Sequence, residues 1–302
     1  MKKKILIIGG SGLLAVNWAC FVRNSSEVYL GLHERLIYIN GVNVLKISMD
    51  SINSLSNDVK KIMPDLVVNA AAMTSIEECE KNPGIAETVN TEIASKLAEV
   101  CNHLKIKFVH ISSDHFCSGS EKYSSENSEV MPLNSYAKTK YQAELSVQKL
   151  NANSLIIRTN FFAWGTFYRK SFSDFVIENL RNNNEIKLFT DIYHTPILVN
   201  ELVIWINKLI ELDEFGVFNI VSSERISKYD FGIKIAKIFN LDNLLIKSCQ
   251  YEDQEKSIIR PFDMSLSNVK LLNRLQRKMP SLTDQLYSLK RNEKSILKCM
   301  PK

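Results

Sequence analysis

No stretch of this sequence approaches the ~20 consecutive apolar residues that a membrane-crossing helix needs, so a transmembrane role has no support. Nor is there a strong excess of charge. Thirty-eight basic and 33 acidic residues leave a formal charge of +5, and the only compact basic run is Lys2-Lys3-Lys4. That balance gives no specific reason to expect nucleic acid as a partner, although it would tolerate a small anionic substrate. The six cysteines, Cys20, Cys79, Cys101, Cys117, Cys249 and Cys299, lie far apart. None forms the C-x-x-C pairs of zinc or redox sites, so no metal is expected and the thiols are read as reduced. No Gly/Ser-rich or Pro-rich linker interrupts the chain, and no internal repeat is visible. The opening MKKKILIIGGSGLLAV imitates a signal peptide, but three glycines break its apolar run and no small-residue cleavage site follows. The expected location is therefore the cytoplasm.

What the chain does have is enough apolar material, 45% of 302 residues, for one large core or two unequal lobes. Short β-branched runs at 5–8, 28–30, 44–47, 66–69, 108–111 and 155–157 alternate with helical patterns at 13–23, 57–63, 85–104 and 136–150. Such alternation predicts βαβ units. The expected fold class is α/β: a Rossmann-like doubly wound parallel sheet that binds ligands at the carboxyl ends of its strands, with a smaller C-terminal α/β substrate lobe. The dinucleotide-binding domain is assigned to residues 1–160, with later segments near 190–222 returning to it, and the substrate lobe mainly to 161–302. Helical patterns at 171–182, 201–212 and 228–239, and a strand-like piece at 217–221, fall in this second part. Residues 278–302 read as a polar, basic helix with a frayed tail.

Gly9-Gly10-Ser11-Gly12-Leu13-Leu14-Ala15 follows the first strand and opens the first helix, the context that makes a glycine pattern a phosphate cradle. Glycine there permits positive φ and close approach of a pyrophosphate, and the helix start offers unpaired N–H groups. After the second strand the chain reads Gly31-Leu32-His33-Glu34-Arg35. A cation near the ribose 2′-position favours NADP over NAD, so NADPH is the expected cofactor, with Arg35 and His33 near its 2′-phosphate and NADH as the alternative.

Tyr136 and Lys140 are four residues apart at the start of a helix and share a face. A neighbouring ammonium can lower the pKa of a phenol and fit it for proton transfer. The strand at 108–111 runs into Ser112-Ser113-Asp114, which puts hydroxyl donors at the active edge of the sheet. A hydroxyl and a phenol converging on a carbonyl oxygen would polarise it for hydride attack.

Together with Asn69-Ala70-Ala71-Ala72, Pro132-Leu133-Asn134-Ser135, Arg158-Thr159-Asn160 and Arg260-Pro261, these motifs stand in the order found in extended short-chain dehydrogenases/reductases. The chain most resembles the dTDP-4-dehydrorhamnose reductase family, from Lys4 to about Leu272. The resemblance implies NADPH-dependent reduction of a 4-keto nucleotide-deoxysugar, in the synthesis of precursors for surface polysaccharides or glycoconjugates. By the same carry-over Ser113 holds the keto oxygen, Tyr136 protonates it, and Lys140 binds the nicotinamide ribose while lowering the pKa of Tyr136. Asp50 lies near adenine, and Ala70, Ala71 and Ala72 line the cofactor. Asp114, His115, Asn160, Phe161, Trp164 and Arg260 face the nucleotide-diphosphate sugar, Arg260 by matching its diphosphate or, alternatively, pairing with Asp263.

Two departures alter this picture. His115 stands where family reductases carry tyrosine and dehydratases carry glutamate, which argues against dehydration and leaves epimerisation, alone or with reduction, as an alternative. The tryptophan expected soon after the Arg-Thr pair is displaced by one residue, to Trp164. A catalytically silent NADP-binding regulatory subunit is the reading from another class. The nucleotide, the sugar and the oligomeric state, a homodimer included, are left open.

Overall fold

The computed structural model describes residues 2–116, 121–251 and 258–301, so Cys117 and Lys302 lie outside the described residues. The first half runs β1 (Lys3–Ile8), α1 (Leu13–Val22), β2 (Ser26–Leu32), β3 (Asn43–Lys46), α2 (Ile52–Ile62) and β4 (Leu66–Asn69). It continues through α3 (Ile76–Lys81), α4 (Pro83–Glu87), a π-helical turn at Thr88–Glu92, α5 (Ile93–Leu104), β5 (Lys107–Ile111), α6 (Ser135–Leu150) and β6 (Leu155–Arg158). The second half comprises β7 (Phe161–Phe162), α7 (Phe172–Arg181), β8 (Ile186–Phe189), β9 (Tyr193–His194), β10 (Ile197–Leu198), α8 (Val199–Glu211) and β11 (Gly216–Asn219). It ends with β12 (Ile226–Ser227), α9 (Lys228–Phe239), β13 (Ile246–Cys249), α10 (Val269–Leu275) and α11 (Leu282–Cys299).

Seven strands form one sheet in the order β11-β6-β5-β4-β1-β2-β3, every pair parallel. The doubly wound α/β fold is thus as expected. Because successive strand residues face opposite sides, Ile5 and Ile7 join one core, with Trp18 of α1 and Trp205 of α8. Leu6 and Ile8 join the other, with Leu55 of α2, Leu97 of α5 and Val147 of α6. The central strands β1, β4 and β6 are mostly apolar because both their faces are covered. The chain reverses direction across the sheet between β1 and β4, and the crevice outside their carboxyl ends is where such a fold binds ligands. Outside this sheet are three two-stranded pairings, β7 with β10, β9 with β12 and β8 with β13.

Three expectations about elements need correction. α2 begins at Ile52, five residues before the apolar pattern starts, because Ser51 caps it and Ser54 closes a reciprocal capping box, the two side-chain oxygens accepting from backbone N–H groups that have no partner within the helix. The helix expected at 85–104 is interrupted by the π-helical turn. The cysteines are not all reduced: Cys20 of α1 is bonded to Cys299 at the end of α11, with Cα atoms 6.1 Å apart. That link also replaces the expected frayed tail, and Met300 beyond it is buried. Among the described residues no helix is long and apolar enough to cross a membrane.

Candidate active site

A cleft of about 960 Å³ opens at the carboxyl ends of the sheet strands. Its floor at one end is the glycine turn. Gly9 has φ +80°, and a Cβ there would lie 2.6 Å from the backbone nitrogen of Ala71, so only glycine fits between β1 and the segment after β4. The turn is closed by Gly10 N–H donating to the Gly31 carbonyl, 3.0 Å, and Gly12 N–H to that of Gly9, 2.8 Å. Gly12 caps α1 with no side-chain hydrogen bond, and the first turn carries no acidic residue. The positive end of the helix therefore faces the cleft uncompensated.

Of the residues expected at the cofactor, residues 9–14, His33, Asp50, Ala70, Ala71 and Ala72 all line this cleft. Asn69 orders the alanine segment: its side-chain oxygen accepts from Ala71 N–H, 3.1 Å, and its amide nitrogen meets His110 Nδ1, 3.1 Å. Burial holds the His110 pKa well below the ordinary imidazole value. Arg35 is not in the cleft lining. Its guanidinium stacks 4.3 Å over the Tyr168 ring, while His33 lies beside Glu34.

At the other end, β5 delivers Ser113, Asp114 and His115, and α6 delivers Tyr136 and Lys140. Asn134 sets the start of α6, its side-chain oxygen accepting from Ala137 N–H at 2.9 Å. Tyr136 and Lys140 therefore lie on the helix's buried side, one turn apart. Tyr136 and Ser113 both line the cleft, and the Ser113 hydroxyl is close enough to act on the phenol's pKa. The Lys140 ammonium, 2% exposed, donates to the Ile111 carbonyl, 2.7 Å. Burial pushes Lys140 down to about 8, with Glu144 pulling the other way. Glu144 is itself held by Arg158 through contacts of 3.0 and 2.8 Å.

Burial also pushes the Tyr136 phenol up to about 12, against the lowering effect of the Ser113 hydroxyl. The expected lowering by Lys140 is not found, because the ammonium is bonded to the strand carbonyl and desolvation of the phenolate dominates.

Asp114 is buried and accepts from Asn160 Nδ2, 2.7 Å. It lies 3.8 Å from His115 Nε2, whose ring meets that of Tyr136 edge-on at 5.5 Å. His115 Nδ1 has no partner among the described residues, and burial holds its pKa below the usual value. Asn160, Phe161 and Arg260 line the same cleft. Arg260 pairs with Glu77 and not with Asp263, which Arg225 occupies at 2.6 Å.

Trp164 does not join them. It is buried in the core, its indole N–H donating to the Leu289 carbonyl at 2.9 Å and its ring edge-on to Phe239, so its expected contact with substrate is withdrawn. His194 packs edge-on against Phe231.

Several cleft residues went unnoticed in the sequence. Thr74, Lys96, Arg169 and Lys170 line the cavity, and Lys228, whose ammonium lies over the Phe172 ring, is pushed down to about 8 by burial against the attraction of Asp114. Only Arg169-Lys170, a basic pair in an otherwise aromatic stretch after Gly165, leaves any trace in the sequence.

Comparison with known proteins places the chain in a family. Residues 2–293 match the family described as RmlD substrate binding domain. A probable low-salt glycan biosynthesis reductase of Haloferax volcanii is 31% identical over 230 residues, 74% of this chain and 76% of the relative. The dTDP-4-dehydrorhamnose reductase of Escherichia coli is 26% identical over 59% of this chain and 61% of its own length. Among solved structures, a Bacillus anthracis dTDP-4-dehydrorhamnose reductase in complex with NADP superposes with a TM-score of 0.84 at 23% identity, covering 97% of this chain and all of that one. A hypothetical dTDP-4-dehydrorhamnose reductase from Sulfolobus tokodaii gives 0.79 at 28% identity, over 94% of this chain and 99% of that one. The chain belongs to the RmlD substrate-binding-domain family.

Proposed function

We propose that this protein is an NADPH-dependent reductase of a 4-keto nucleotide-deoxysugar, serving glycan or surface-polysaccharide synthesis. The observation that carries the reading is that one cleft has the glycine cradle at one end and Ser113, Tyr136 and buried Lys140 together at the other. Residues 9–14 and the uncapped start of α1 suit a dinucleotide's pyrophosphate, His33 and Arg35 a 2′-phosphate, and the alanine segment 70–72 a flat nicotinamide or ribose face. Bound NADPH would supply the hydride.

The chain's own part is to hold and protonate the keto oxygen. Ser113 and Tyr136 donate hydrogen bonds to it, and their fit improves as the oxygen gains negative charge. Tyr136 then gives up its proton to the alkoxide, and Ser113 keeps its hydrogen bond to the product oxygen. Lys140, fixed by Ile111, orients the nicotinamide ribose. Asp114, braced by Asn160, accepts a sugar hydroxyl, and Arg260 takes a diphosphate oxygen. Residues 1–160 would form the cofactor domain and most of 161–302 the substrate lobe.

One observation favours a second reading. His115, with Asp114 at one nitrogen and no partner at the other, is equipped as a base that could epimerise a carbon beside the keto group. Incubation with NADPH and a panel of 4-keto nucleotide-sugars tests both. Net cofactor consumption that Tyr136→Phe abolishes supports reduction; a changed sugar with no cofactor consumed supports epimerisation. Tight NADPH binding without turnover of any keto-sugar would indicate a silent binding subunit.

A further inference from the structure

The segment 165–170 leaves β7 and the buried Trp164 and crosses the cleft mouth above the glycine turn. It is tightly built. Thr166 N–H donates to the Arg169 carbonyl, 2.9 Å, and Arg169 N–H donates back to Thr166 Oγ1, 3.1 Å. Gly165 is required at its base, since a Cβ there would lie 2.5 Å from the Arg169 carbonyl oxygen and 2.6 Å from Asp174. Its two ends of reach touch opposite walls. The Tyr168 hydroxyl donates to the Ser11 carbonyl inside the glycine turn, 3.0 Å, and Arg169 Nη2 donates to Thr74 Oγ1 beyond β4, 2.6 Å.

The charges at this crossing are unusual. Lys170 is neutralised by Glu178 and Arg260 by Glu77. Arg169 lines the cleft and pairs with no carboxylate among the described residues; its hydrogen-bonded side-chain partner is a neutral hydroxyl. Facing it is the start of α1, also without an acidic side chain. Two positive features set on opposite sides of a crevice, neither neutralised, repel each other unless an anion lies between them.

We propose that residues 166–170 form a strap over the phosphate cradle, in which Arg169 is a ligand of a bound diphosphate and Tyr168 is the latch on Ser11. A guanidinium fits such a group through paired N–H donors. The diphosphate is that of the dinucleotide cofactor, because the latch engages the glycine turn itself; the inference therefore rests on the cofactor reading above. The stacking of Arg35 on Tyr168 ties the same strap to the side chain assigned to the 2′-phosphate.

Binding measurements on the purified protein separate the sources. Titrations of NADPH, NADH and dTDP, followed by calorimetry, are compared for the wild type, Arg169→Gln, Tyr168→Phe and Arg35→Gln, with circular dichroism to verify folding. Arg169→Gln is expected to raise the Kd of both dinucleotides by the same factor, about tenfold, and to leave dTDP unchanged. Tyr168→Phe should weaken both dinucleotides in the same direction but less. Arg35→Gln should weaken NADPH alone. Unchanged dinucleotide binding in Arg169→Gln overturns the strap, as does a loss confined to dTDP, which would assign Arg169 to the sugar-nucleotide. A wild type that binds neither dinucleotide removes the cofactor reading itself, and the strap with it.

Discussion

Burial holds the Tyr136 phenol at about 12, so it carries its proton throughout the neutral range, the state a proton donor needs. Tyr136→Phe removes that donor and one of two hydrogen bonds to the keto oxygen. The expected result is a kcat lower by roughly 10²–10⁴-fold with the NADPH Kd nearly unchanged, measured by steady-state kinetics beside equilibrium titration. Lys140 behaves oppositely. Its folded-state pKa of about 8 lies below the ordinary 10.5, so folding disfavours its charge. The cost is fully present below pH 8 and is relieved as pH rises from about 8 towards 10.5, where the unfolded chain binds the extra proton. Lys140→Met should therefore gain thermal stability relative to the wild type at pH 7, with the gap narrowing above pH 8, while losing activity. Melting curves at pH 7 and 9.5 check this. A gap that widens with pH would reverse the sign of the argued cost.

The helix that carries both residues is set by a single cap. Asn134 satisfies Ala137 N–H and also donates to the Ile259 carbonyl, 3.1 Å, next to Arg260. Asn134→Ala should cost about 1 kcal/mol of stability, seen as a lower urea midpoint, and should lower kcat because Tyr136 and Arg260 lose a common support. Elements of this kind were legible in the sequence. The glycine turn between β1 and α1, and the Tyr136/Lys140 spacing on α6, are local patterns whose physics is contained in a few neighbouring residues. Trp164 was not legible. Whether an aromatic faces a sugar or packs under α11 depends on chain that arrives from more than a hundred residues away. The start of α2 was missed for another reason: serines capping a helix leave no apolar periodicity to detect.

At the scale of the molecule, the Cys20–Cys299 bond closes a loop between positions 279 apart and fixes α11 against the helix that begins at the phosphate cradle. No spacing rule reveals such a pair, because its proximity is a product of the whole fold. Cross-links of this kind typically contribute 2–4 kcal/mol, roughly, by restricting the unfolded chain. Reductant should lower the Tm of the wild type and leave that of Cys20→Ser unchanged. The larger claim is that the two ends of one cleft, cradle and Ser113–Tyr136 pair, serve one hydride transfer. It is tested most directly by supplying NADPH deuterated at the transferable C4 position of its nicotinamide, together with the 4-keto nucleotide-sugar that the enzyme consumes, and locating the label. The account predicts one deuterium on sugar carbon 4 of the product, formed roughly 10²–10⁴-fold more slowly when Tyr136→Phe replaces the wild type. A converted sugar carrying no deuterium would contradict it.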